Sequence, residues 1–122
     1  MTYYKVPPNI IEYDCSYQDL TELDLSEAVD LVILTCSYNK LTTLDCSNCP
    51  KLRTISCEHN YLNTLRIKEC LNLESIYCSF NELTLLQCQS QKLRNLSCAD
   101  NRLRTILILF CSKLKYLYCM NI

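Results

Sequence analysis

Six cysteines punctuate this 122-residue chain at near-constant intervals: Cys15, Cys36, Cys57, Cys78, Cys98 and Cys119, with steps of 21, 21, 21, 20 and 21. Other residues keep the same phase. Three places after the cysteine stand Asn39, Asn60, Asn81 and Asn101, with Gln18 in the first copy. Five places after it stand Leu20, Leu41, Leu62, Leu83 and Leu103, and eight places after it Leu23, Leu44, Leu65, Leu86 and Ile106. Two places before it come Tyr13, Leu34, Ile55, Ile76, Leu96 and Leu117, and five before it Ile10, Leu31, Leu52, Leu73, Leu93 and Leu114. A unit this short cannot bury its own apolar face and must stack on its neighbours, so a period near twenty specifies a solenoid. The units run 10–30, 31–51, 52–72, 73–92, 93–113 and a fragment, 114–122, which makes about five and a half coils. The one short unit has lost a residue around Ser90 and Gln91.

Within a unit, Ile55-x-Cys57 is a period-two segment that puts both side chains on one face. This predicts one parallel strand per coil, with Thr54, Ser56 and Glu58 facing outward. Leu62-x-x-Leu65-x-Ile67 repeats a similar spacing and predicts an opposite wall, extended or as a second short strand. A helix there needs more residues than the coil leaves. The fold expected is a mainly-β repeat solenoid with a parallel sheet on one face. Tyr3, Tyr4, Val6, Pro7 and Pro8 of segment 1–9 are expected to lie over the first coil as a lid.

The cysteines and asparagines each have a physical reason to recur. A free cysteine behaves as a small hydrophobe and fits inside a narrow coil. In-register neighbours stand ~4.8 Å apart, with parallel Cβ vectors ~1 Å wider than a disulfide takes, which predicts a ladder of unoxidised thiols. Cys46 and Cys88 fall where other units carry Leu25, Ile67 and Ile108, and are expected to fill the second wall. Cys49, Cys70 and Cys111 form a third, partial column. A buried carboxamide has two donors and an acceptor, so each asparagine can serve the turn of its own coil and the next. These ten residues of the cysteine and asparagine columns are read as structural.

The run Leu52-x-x-Ile55-x-Cys57-x-x-Asn60-x-Leu62 resembles the leucine-rich-repeat signature, with cysteine at the third apolar place. The 21-residue length, the cysteine ladder and the second half, Leu41-x-x-Leu44-Asp45-Cys46-Ser47, are similar to the short internalin-J type of bacterial repeat. Similar arrays occur in proteins of large DNA viruses. The resemblance spans residues 10–119. It implies a protein-binding role through the strand-bearing face, and it admits incorporation in a virus particle. The chain is expected to depart from the bacterial surface members in lacking an export signal, a wall anchor and a cysteine-rich flanking cap, and it shows few coils.

Composition argues against catalysis. Glycine is absent, which excludes phosphate-cradling loops, dinucleotide fingerprints and nucleophile elbows. The single histidine, His59, leaves no histidine-based triad or metal set. Cys46-Ser47-Asn48-Cys49 has CxxC spacing, but no second pair follows and a zinc knuckle needs four ligands. No cofactor, metal, small-molecule substrate or enzymatic activity is expected. The longest apolar run, Ile106 to Cys111, is six residues, short of a membrane span or a signal peptide core. With an odd count of eleven cysteines, these features predict a reducing, cytoplasmic location. A sequence pI near 5.8 speaks against a dedicated nucleic-acid binder.

Two surface features are candidates for binding. Tyr17, Tyr38, His59 and Phe80 stand two places after the ladder cysteine, and Tyr77 and Tyr118 one place before it, giving an aromatic stripe down the strand face. The stripe reads either as a hot-spot surface for a protein partner or as rung-on-rung stacking that only stabilises the coil. Charge is polarised along the chain. Residues 1–30 hold seven acids and one base, net −6; residues 92–122 hold six bases and one acid, net +5. Sequence order is spatial order in a solenoid, so Arg94, Arg102 and Arg104 mark a basic tail opposite an acidic head. Leu114, Leu117 and Cys119 in the last fragment have no following coil in this sequence, and an uncovered final strand is an association template. The function expected is a non-catalytic protein-interaction module docking in a larger assembly or end to end. The alternative is a purely architectural subunit of a large particle such as a viral capsid.

Overall fold

The computed structural model describes residues 2–108 and 110–121. Met1, Leu109 and Ile122, which belong to the expected lid, fifth unit and final fragment, lie outside them. The chain winds into a parallel β-solenoid of about five coils at a spacing of about 21 residues, with no helix among the described residues. Each coil carries two three-residue strands. β2 (Glu12–Asp14), β4 (Ile33–Thr35), β6 (Thr54–Ser56), β8 (Ser75–Tyr77), β10 (Asn95–Ser97) and β12 (Tyr116–Tyr118) form one six-stranded parallel sheet in strict coil order. Its register joins Leu34 to Ile55 to Ile76 to Leu96, each two places before a ladder cysteine. One side chain of each central strand therefore points inward while its neighbours remain half-exposed.

The second wall is built from β3 (Glu22–Asp24), β5 (Thr43–Asp45), β7 (Thr64–Arg66), β9 (Leu85–Gln87) and β11 (Thr105–Leu107). Here the strands pair two by two, β5 with β7 and β9 with β11. β3 pairs instead with β1 (Tyr3–Lys5), so the N-terminal segment adds a rung to this wall; Val6 is fully buried and Tyr4 stacks on Tyr13 at 5.1 Å. Between β3 and β5, and between β7 and β9, the wall opens into clefts of about 340 and 410 Å³. The turns leaving it are set locally. Asp24 and Asp45 each accept the backbone N–H two residues on, from Ser26 and Ser47, at 2.9 Å, an arrangement that holds the chain in its bend.

The core is one continuous stack of leucine, isoleucine and cysteine between the two walls. The ladder thiols carry no disulfide, and Cys36, Cys57, Cys78 and Cys98 are fully buried. Cys46 and Cys88 are buried in the second wall. In the third column Cys70 donates its S–H to the Cys46 carbonyl of the preceding coil at 3.2 Å. The short unit replaces this contact with two others. Ser90, fully buried, donates to the carbonyls of Leu73 at 2.6 Å and Leu71 at 3.1 Å. Since Ser90 follows Cys88 by two residues where Cys70 follows Ile67 by three, the missing residue lies between Cys88 and Ser90.

Burial also sets how the coil responds to alkali. It pushes the thiols of Cys15, Cys49, Cys88 and Cys98 up to about 11 and that of Cys70 to about 12. Above the ordinary thiol value of 9.0 the unfolded chain sheds these protons while the folded chain retains them, so folding is progressively disfavoured. The urea midpoint is expected to be flat from pH 6 to 8 and to fall steeply between pH 9 and 11. Replacing Cys49 and Cys70 by alanine should shallow that fall.

Candidate functional site

The backbone leaves each strand of the large sheet through a left-handed residue. Tyr17, Tyr38, His59, Phe80, Asp100 and Asn121, all two places after a ladder cysteine, have φ between 54° and 60°. A side chain with a Cβ disfavours this region by about 1–2 kcal/mol, and glycine usually takes such positions. In this glycine-free chain the turn is held instead by its partners. The N–H of each of the first five residues in this column bonds to a carbonyl of the following coil, at 2.9 to 3.2 Å.

The asparagine column supplies the rest. Asn60 donates through Nδ2 to the carbonyls of Cys36 and Cys57, both at 3.1 Å, and accepts the Leu41 N–H at 3.0 Å. Asn39, Asn81 and Asn101 repeat the pattern in the other coils. The coil each one serves besides its own is the preceding one. Every ladder-cysteine carbonyl from Cys36 to Cys78 thus receives two asparagine amides, and the buried column is one continuous run of hydrogen bonds.

This geometry fixes where the outward rings go. Tyr17, Tyr38, His59 and Phe80 stack face to face with centroids 4.5, 4.4 and 4.4 Å apart and ring planes within 10°. The stack is not sunk in the coil: Tyr17 is 72% exposed, Tyr38 45% and Phe80 48%. It ends where the column turns polar, with Asn121 donating to Asp100 at 3.0 Å. Tyr77 and Tyr118 do not join it. They sit inside β8 and β12, in a separate column where Ser97 stands between them. The aromatic stripe is therefore a four-ring stack and two isolated tyrosines.

The basic tail divides as well. Arg94 precedes β10, whereas Arg102 and Arg104 follow the turn on the far side of that strand. Arg102 pairs with Glu82 at 3.3 Å. Leu117 and Tyr118 lie on the last strand, 49% and 59% exposed, and Leu114 is half-buried. Lysines 92, 113 and 115, which the sequence gives only as part of a charge total, converge with Arg94 and Glu74 on an open concavity of about 540 Å³. The periodic phase contains the signal for this: residues four and six places before the ladder cysteine flank the buried leucine at the fifth. No protein-family model matches the chain, and no curated protein sequence does either. Among the described residues no group of three histidine, cysteine, aspartate or glutamate side chains is placed to hold a metal ion.

Proposed function

We propose that the chain is a short leucine-rich-repeat solenoid acting as a non-catalytic protein-interaction module, with the ring stack Tyr17–Tyr38–His59–Phe80 as its contact surface. The exposed stack carries this reading. Its rings are held at fixed spacing by a hydrogen-bonded backbone, so a partner can cover them with little loss of side-chain freedom. Flat aromatic surface fixed in this way is the kind of surface from which interface hot spots are made. The leucine-rich-repeat assignment rests on the Leu52–Leu62 pattern together with the coil it forms. The ladder sulfurs, five of the six buried and none in a disulfide, favour a reducing compartment.

The test is affinity capture from the native source with the parent chain and a Tyr38→Ala/Phe80→Ala variant. Capture of a defined protein should be lost in the variant. Phe80→Ala alone removes one stacking contact, about 0.5–1.5 kcal/mol, so the variant is checked for an intact coil by far-UV circular dichroism. Undiminished capture by a folded variant rejects the ring stack as the contact surface.

A second reading, an architectural subunit joining end to end, is favoured by the charge polarity of −6 over residues 1–30 against +5 over residues 92–122. Light scattering at 20 and 300 mM salt separates the two. Salt-sensitive association supports the architectural role, and a monomer at both supports the recognition module.

A further inference from the structure

Two columns of side chains line the edge where the chain enters the large sheet. Six places before the ladder cysteine stand Asn9, Asp30, Lys51, Asn72, Lys92 and Lys113; four places before it stand Ile11, Val32, Arg53, Glu74, Arg94 and Lys115. Toward the middle of the rod these columns neutralise themselves between neighbouring coils. Lys51 pairs with Asp30 at 2.8 Å, and Arg53 donates its Nε–H to Glu74 at 2.7 Å. In the last two coils the alternation stops. Lys92 stands in register with Lys113, and Arg94 with Lys115, whose N–H bonds to the Arg94 carbonyl at 2.9 Å.

No carboxylate among the described residues forms an ion pair with any of these four cations. Lys92 reaches the Asn72 side-chain oxygen at 2.7 Å, and Lys115 lies over the Tyr116 ring. Glu74, the one acid on the rim, is already engaged by Arg53 on its other side. Its carboxyl is held below the ordinary range, first by that hydrogen bond and then by the charges of Arg53, Lys92 and Arg94. Adjacent rungs are ~4.8 Å apart, so the four charges form a two-by-two array facing one concavity.

We propose that Lys92, Arg94, Lys113 and Lys115 form a binding site for a phosphate group. A phosphate carries close to two charges and three acceptor oxygens, enough to engage an arginine fork and flanking ammonium groups together. A carboxylate offers half the charge and fewer acceptors. The array is two coils long, and the preceding coils of the same columns are self-neutralised by the Lys51–Asp30 and Arg53–Glu74 pairs, so the unpaired positive charge is confined to a patch that suits a compact anion better than an extended polyanion such as a nucleic-acid strand.

Isothermal titration of the full chain in 150 mM NaCl tests the site with four probes: pyrophosphate, a phosphoserine peptide, its glutamate counterpart and a single-stranded oligonucleotide. Saturable binding of pyrophosphate or of the phosphoserine peptide at one per chain is expected, weakened at least tenfold in Arg94→Gln/Lys115→Gln and unchanged in Arg102→Gln/Arg104→Gln. The stronger of those two ligands identifies the source, a free phosphate or a phosphorylated protein. All four substituted positions are exposed, so the variants keep the fold, and their unfolding midpoints serve as the control. Equal binding of the glutamate peptide, preference for the oligonucleotide, or equal loss in both variants overturns the proposal. So does the absence of binding.

Discussion

Asn60→Ala is expected to destabilise the protein by about 2–3 kcal/mol, since it leaves one buried N–H unpaired, at a cost of about 1–3 kcal/mol, and takes one hydrogen bond from each of two buried carbonyls. The Leu41 N–H loses its acceptor outright, while the carbonyls of Cys36 and Cys57 each fall from two amide donors to one. The effect reaches beyond the sum of these groups, because the same turn holds His59 in the left-handed region. Once the carboxamide is gone, the turn has less to keep it there. Asn63, three residues on, is exposed, and its side chain accepts the Thr64 hydroxyl at 3.0 Å. Asn63→Ala should stay within about 0.5 kcal/mol of the parent. Urea unfolding of the two variants measures the contrast. If they lose stability equally, the asparagine column does not carry the turn.

The second large effect is a gradient along the rod. Leu34 and Leu117 occupy the same place in the repeat, two residues before a ladder cysteine, yet Leu34 is wholly buried and Leu117 is 49% exposed. Leu34→Ala should cost about 3–4 kcal/mol, the transfer term plus a cavity that both flanking coils prevent from collapsing. Leu117→Ala should cost less than about 1 kcal/mol, as about half of the residue is already in solvent. A comparable loss at both positions would mean that the last rung is covered in solution, and would direct attention to association through that end.

The coil was readable because its signals are periodic. Cysteine, asparagine and leucine recur at fixed offsets, and a residue that must be small, doubly hydrogen-bonded or apolar in one coil meets the same demand in the next. The strand at Ile55 follows from alternation, and the second wall from the repeat of that spacing at Leu62 and Leu65. Other features depend on distances around the coil, which an offset alone does not supply. Arg94 and Arg102 look like neighbours in a basic tail, but the whole of β10 and its turn separates them. Tyr77 and Phe80 look like one stripe, but the strand points one ring and a left-handed turn points the other. The left-handed backbone left only a faint trace, because the usual marker is glycine, whereas tyrosine and phenylalanine stand in its place, with His59, Asp100 and Asn121 as the residues of types that favour this region. The direction in which each asparagine bonds, back to the preceding coil, depends on the handedness and pitch of the winding.

The two faces of the rod are joined differently, and this gives it a preferred direction of bending. On one face every interval from β2 to β12 is bridged by strand pairing, so the rungs there are fixed at a common pitch. On the other, two of the intervals are clefts. A load that curls the molecule toward the paired sheet would widen those gaps without breaking a ladder bond, whereas the opposite curl must stretch the sheet itself. The compliance is concentrated at two places, so the rod should flex as three stiff blocks, with the continuous sheet as their common hinge leaf.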